Sequence, residues 1–274
     1  WTPRKYKFVV DGEGSLGAGG LDWALGIVSS RAFRDDVVGH YICPGIDLFN
    51  HDYAPKANAI LDAEIAMAVH NPEMGTVRVI ADDDIQPGQE IKFTYAKVPN
   101  EVLLNYYGFV PEQNPHDDVV VFPSLRDCIN YVSGGLDRDQ MEEAVSRVLH
   151  ALRTWEPQGR TPSSDVYEGD LNRLTLNING LDGRLVTALS VVTQLFETQQ
   201  SIGEIILNRV RERLDHYSTS LGEDEFEISE LEAGTPEHTA MLLRISKKRI
   251  LESARAALSD IVQEQSKKTD VELD

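Results

Sequence analysis

Two short segments of this chain carry residues fitted to chemistry: Asp47-Leu48-Phe49-Asn50-His51, and Gly88-Gln89-Glu90-Ile91 leading through Lys92-Phe93-Thr94 to Tyr95. An Asn amide presents a donor and an acceptor in one plane, which suits a heterocycle edge such as adenine, and the adjacent backbone can do the same. A tyrosine ending a strand puts its hydroxyl where it can hold a nucleophile or meet a polarised group. Each residue also has a plainer use. Asn-His-Asp at a strand-to-loop turn can satisfy local backbone groups, and a strand-end tyrosine can simply pack with its hydroxyl at the rim. Asp47, His51 and Asp52 suggest a metal, but no second His or carboxylate set follows at ligand spacing. Cys43 and Cys128 are too few for a four-thiolate site, so no metal is expected. Asp82-Asp83-Asp84 lacks the spaced ligands of a calcium loop and reads as a solvated turn.

The elements that must position these residues are short in the first half and long in the second. Leu21, Ala24, Leu25, Ile27, Val28 and Ala32 recur at helical spacing, predicting a helix over 21–33. Arg31 near its end can interact with the last carbonyls. Strands are expected over 37–43 and 58–64, a hairpin from 66–70 to 76–81, a Pro87-Gly88 turn, and a strand over 91–95. A short helix over 100–107 should end at Gly108. Residues 37–122 therefore read as a compact β-rich unit, and His116-Asp117-Asp118 as a polar loop. Past Pro123 the pattern turns helical, with expected helices over 137–155, 185–217 and 235–265. An acidic loop over 218–227 would make the last two an antiparallel pair. The Glu/Lys/Arg pattern of the last helix reads as a solvated face. The fold class is α+β. Residues 11–20 hold five glycines but neither a Gly-Lys-Ser/Thr ending nor the dinucleotide spacing, and read as a loop.

Taken together, Ser29-Ser30-Arg31-Ala32-Phe33, Asp47–His51, Gly88–Tyr95, Asn100-Glu101 and Tyr107-Gly108-Phe109 follow one register through residues 21–122. This register resembles the C-terminal half of a SET-domain protein lysine methyltransferase of the Rubisco large-subunit methyltransferase-like branch. The resemblance implies a knot-like passage of the Asn-His and tyrosine segments through one another, and S-adenosyl-L-methionine as cofactor. It implies that Asn50 and His51 contact the adenine side, that Arg31 pairs with the cofactor carboxylate, and that Asp47, Tyr107 and Phe109 belong to the same pocket. Tyr95 would be the catalytic tyrosine. The domains so implied are 1–36, the end of a helical insert within the SET domain; 37–122, its C-terminal half; and 123–274, an all-helical substrate-binding domain. The glycine-containing segment with which the family binds the methionine end of the cofactor has no match before Leu21. A truncated SET domain, inactive alone, is therefore expected.

The net charge of −19 argues against a nucleic-acid backbone as partner. No apolar run approaches the ~20 residues of a membrane helix. The expected partner is a protein substrate carrying the target lysine, with histidine the lesser choice, and the chain is expected to be monomeric. Two cysteines and no signal-peptide pattern give an intracellular expectation, in cytoplasm, nucleus or plastid. The competing function is a non-catalytic SET-like scaffold that docks a protein partner through its helices.

Overall fold

The computed structural model describes residues 18–35, 39–64, 76–154 and 173–271. The chain divides into two units, one comprising residues up to Lys97 with Val102–Phe109, the other Val98–Glu101 with the chain from Val110 onward.

In the first unit, α1 (Ala18–Arg31) stops at Arg31 because Phe33 opens a short antiparallel pair, β1 (Phe33–Asp35) with β2 (Gly39–Tyr41). A 3₁₀ turn, Ile46–Leu48, follows, entered through Gly45 at φ 92° and ψ −44°, a conformation that suits only glycine. Next, β3 (Asn50–His51) runs parallel to β6 (Lys92–Phe93), Asn50 opposite Lys92 and His51 opposite Phe93. Between them lies β4 (Ala59–Glu64), antiparallel to β5 (Thr76–Ala81) from Ala59↔Ala81 to Glu64↔Thr76. The partner of β5 is thus 59–64, and the expected partner, 66–70, lies outside the described residues. The expected strand over 91–95 makes ladder pairs only at Lys92 and Phe93, because side chains take over beyond them. The Pro87-Gly88 turn forms as expected, with the Gln89 N–H donating to the Gln86 carbonyl and Gly88 at φ 84°. So does α2 (Asn100–Tyr107), ended by Gly108 at φ 80°, whose N–H returns to the Leu104 carbonyl.

The second unit is not all-helical. An antiparallel sheet of β7 (Asp118–Phe122), β8 (Leu174–Asn177) and β9 (Gly180–Leu181) packs Val119, Val121, Phe122, Leu174 and Leu176 into its core. Around it stand α3 (Leu125–Ser133), α4 (Arg138–Thr154), α5 (Gly183–Leu195), α6 (Ile202–Asp215), α7 (Leu221–Glu227) and α8 (Pro236–Val271). The single helix expected over 185–217 is two. It breaks after Leu195, with Glu197 at φ 46°, and restarts at a capping box in which Ser201 and Glu204 satisfy each other's backbone N–H groups. A second capping box, Ser220 with Glu223, opens α7 inside the expected loop. A Cβ placed on Gly203 would stand 3.6 Å from Val262, and Tyr217, just past the other end of α6, lies by Lys248 in the first half of α8, so the two helices run antiparallel, as expected.

The last helix departs most from expectation. Lys247 and Lys248, read as part of a solvated face, are buried. The Lys248 ammonium lies 2.5 Å from Asp224 and 4.9 Å from the Tyr217 ring centre. That of Lys247 meets Glu101 at 2.6 Å, Asp117 at 2.7 Å and the Asp118 carbonyl at 2.6 Å. Asp117, expected in a polar loop, is buried, and its carboxylate also accepts the Asn100 N–H and side-chain amide, each at 2.9 Å. Removing one member of such a buried pair typically costs about 3–5 kcal/mol, because the other charge stays behind uncompensated.

Burial raises the Asp118 pKa to about 6, with Glu101 and Asp117 adding and Arg173 and Lys247 opposing. A folded-state pKa above the unfolded value gives a stabilisation complete below the unfolded pKa and lost as pH rises through the folded one. Asp118→Asn removes that proton uptake. Urea denaturation should therefore find the variant, relative to wild type, better off at about pH 7 than at about pH 4 by roughly 2–3 kcal/mol. Parallel stability curves would contradict this.

Candidate active site

All seven site residues expected from the sequence line one cleft of about 400 Å³ in the first unit. Arg31 comes from the last turn of α1, Asp47 from the 3₁₀ turn, and Asn50 and His51 from β3. Tyr95 lies two residues past β6, Tyr107 ends α2, and Phe109 follows the left-handed Gly108. Leu48 stands at the cleft with 68% of its surface exposed.

A parallel ladder of two residue pairs is too short to hold such a site by backbone bonds, and side chains supply the rest. Asn58, buried as it enters β4, donates to the Glu90 carbonyl at 2.9 Å and accepts the Lys92 N–H at 3.0 Å. Thr94 donates to the Asp52 carbonyl at 2.9 Å, and Tyr53 to the Ala96 carbonyl at 3.2 Å. The Tyr95 N–H donates to His51 Nδ1 at 3.0 Å, and the Tyr95 hydroxyl donates to the Phe49 carbonyl. Across the same seam, the Asn50 amide donates to Glu90 at 2.5 Å, and Lys92 bridges Glu90 at 3.4 Å and Asp52 at 3.3 Å. Asn58, Asp52, Lys92 and Thr94 carry no motif of their own. The signal for Asn58 was one polar residue between alanines at the head of a strand.

The lining is aromatic. Ring centres of Tyr95 and Tyr107 stand 5.0 Å apart, His51 and Phe109 5.6 Å, and Tyr107 and Phe109 6.2 Å. Its ion pair is internal: Arg31 Nη1 donates to the Asp47 carbonyl at 2.8 Å and lies 3.8 Å from its carboxylate, which accepts the Gly45 N–H at 2.9 Å. Asp52 is occupied by Lys92 and the Tyr53 N–H. Burial raises the Tyr95 pKa, with Tyr107 and Glu90 adding and Arg31 opposing, and burial likewise raises that of Tyr107. Burial lowers the His51 pKa, against the Asp52 carboxylate and the Phe93 carbonyl. At neutral pH the cleft thus offers neutral phenols, a neutral imidazole and a half-exposed guanidinium. That set binds and positions; it holds no strong base. A second cleft, of about 200 Å³, lies in the second unit between α6 and α8, lined by polar groups such as Asn208, Arg211 and Gln263.

No family model and no curated protein matches the chain. Its fold is similar to that of the SET domain of LSMT bound to lysine and AdoHcy, with a TM-score of 0.56 and 15% identity over 91% of this chain and 57% of that one. Rubisco LSMT bound to AdoMet gives 0.51 and 17% over 89% and 55%. The SET domain of LSMT bound to MeLysine and AdoHcy gives 0.56 and 17% over 88% and 55%. The chain has the LSMT-like SET-domain fold and spans a little over half the length of the structures it matches.

Among the described residues nothing lies within 4 Å of a Cβ placed on Gly45, so backbone strain is what opposes a side chain there. Gly45→Ala should lower stability by about 1–2 kcal/mol in chemical denaturation. An unchanged midpoint would mean that the turn carrying Asp47 readily adopts another shape.

Proposed function

We propose that the whole protein transfers a methyl group from S-adenosyl-L-methionine to a side-chain nitrogen of a protein substrate, with lysine as the target. The observation that carries this is the convergence of Arg31, Asp47, Asn50, His51, Tyr95, Tyr107 and Phe109 on one cleft. Its chemistry fits the cofactor. A cleft of about 400 Å³ falls within the ordinary range for small-ligand sites. Aromatic faces attract a sulfonium cation. Among the described residues only Nη1 of Arg31 has a partner, which leaves the rest of its fork for a carboxylate. One Asn50 amide hydrogen is given to Glu90, so its carbonyl oxygen, its second amide hydrogen and the backbone edge of β3 that no described strand pairs would meet the adenine.

Bound there, the cofactor supplies an electrophilic methyl that a neutral amine takes up through its lone pair as the carbon–sulfur bond breaks and leaves a neutral thioether. Tyr95 has a definable part in this. Its proton goes to the Phe49 carbonyl, so its oxygen faces the reaction as an acceptor, able to receive an amine N–H or a polarised C–H. The raised pKa keeps that oxygen from becoming a phenolate, which would itself be a nucleophile. Arg31 and the sulfonium favour loss of the ammonium proton to water by lowering the lysine pKa. Positioning rather than proton abstraction would then dominate the rate.

The finer readings belong to the same proposal: the Asn-His and tyrosine segments thread as in that family, and the helical residues past 123 bind the substrate protein. Its location would be intracellular; no helix among the described residues is long and apolar enough to cross a membrane.

Tyr95→Phe keeps the ring and removes the acceptor. It should lower kcat by roughly tenfold or more, a loss of about 1.4 kcal/mol at least, with cofactor affinity within about threefold. Equal turnover would remove Tyr95 from this role. Cofactor that fails to bind the natural full-length protein in calorimetry would favour the scaffold.

A further inference from the structure

His51 has a use that its place in the cleft does not require. Its Nδ1 accepts the Tyr95 N–H at 3.0 Å, so in the neutral ring Nδ1 is bare and the proton sits on Nε2. Nε2 is buried and has no hydrogen-bond partner among the described residues. The ring is fixed by packing: its centre lies 4.4 Å from Tyr53, perpendicular to it, 5.2 Å from Tyr95 and 5.6 Å from Phe109. The ladder beside it ends at Phe93, so past that point the imidazole does for the Tyr95 backbone what a strand would otherwise do.

We propose, resting on the methyl-transfer reading, that His51 is a positioning residue for Tyr95, acting through this one ring-to-backbone hydrogen bond and only as the neutral imidazole. A proton on Nδ1 would turn the acceptor into a donor facing the Tyr95 N–H, with the Phe93 carbonyl as its alternative partner. Tyr95 would lose its anchor, and its hydroxyl would no longer be held at the Phe49 carbonyl. Among the described residues the groups around the ring are Asp52 on its own segment, Tyr53 beyond it, Tyr95 past β6 and Phe109 after α2, and of these Asp52 is the charged one. Burial outweighs Asp52 and the Phe93 carbonyl and keeps the ring neutral near physiological pH.

Two arms test this on the natural full-length protein. In the first, NMR with ¹⁵N-labelled histidine and tyrosine reads the His51 tautomer and the Tyr95 amide against pH. A bare Nδ1, and a Tyr95 amide shift that titrates together with His51 below the ordinary histidine value, are expected. A protonated Nδ1 at neutral pH, or a Tyr95 amide indifferent to the His51 titration, overturns the proposal whether or not the protein has activity. In the second arm, His51→Asn can keep an oxygen where Nδ1 stood, while His51→Leu removes the acceptor. Both variants can weaken cofactor binding, so the readout is the contrast between them at saturating cofactor: the Leu variant should lose about tenfold in kcat, and the Asn variant should recover a clear part of that loss and lack the acid limb of the pH–kcat profile. Equal kcat in wild type and the Leu variant, or a loss confined to cofactor KM, overturns the positioning role. If no methyl transfer occurs at all, the proposed function fails, and the tautomer and amide readings still decide the hydrogen bond.

Discussion

The candidate site depends on one seam, the join between residues 49–58 and 90–96. Its backbone ladder has only two residue pairs, Asn50 with Lys92 and His51 with Phe93. A ladder that short between segments some forty residues apart in sequence cannot recover the loop-closure entropy by itself. The seam is therefore stitched by side chains: Asn58 on both sides of Ile91, Thr94 on the Asp52 carbonyl, Lys92 between Glu90 and Asp52, and Tyr95 at both its ends. Several of these residues also face the cleft, so fold and site share one set of bonds. A substitution here is felt twice, in stability and in geometry.

The second unit solves a related problem with charge. Residues 98–99 and 114–117 lie outside helix and strand, and Asn100, Asn114, Asp117 and Lys247 tie them together through fully paired buried groups. Arg173 adds a two-pronged bond to Asp118, at 3.1 and 3.3 Å. Such networks stabilise little over an apolar core of the same shape, but they admit one arrangement where a greasy contact would admit several.

Legibility followed physical range. Local signals read well: the Pro87-Gly88 turn, α2 with its glycine stop, and the antiparallel course of the helices now seen as α6 and α8. The break at 196–201 and the helix at Leu221–Glu227 were legible too, in Ser201-x-x-Glu204 and Ser220-x-x-Glu223, but the apolar periodicity running past the first and the acidity of the second masked them. What could not be read locally was who pairs with whom. Thr76–Ala81 alternates well enough to fit either of two preceding strands, and its choice of 59–64 is a long-range fact. The buried lysines escaped for the same reason. On α8 alone Lys247 and Lys248 look like solvated charges, and only carboxylates brought from Glu101, Asp117 and Asp224 make their burial tolerable. The cleft residues were legible as a set through their family resemblance, while the residues that hold them, Asn58 above all, were not.

The central claim is that the cleft beside this seam takes S-adenosyl-L-methionine. The most direct measurement is a titration of the natural full-length protein, ¹⁵N-labelled at histidine and tyrosine, with S-adenosyl-L-homocysteine. The account predicts saturable shifts at the amides of His51, Tyr95 and Tyr107, with Tyr131 and Tyr217 of the second unit unmoved. No saturable shift at the three cleft residues, or shifts confined to the second unit, would contradict it.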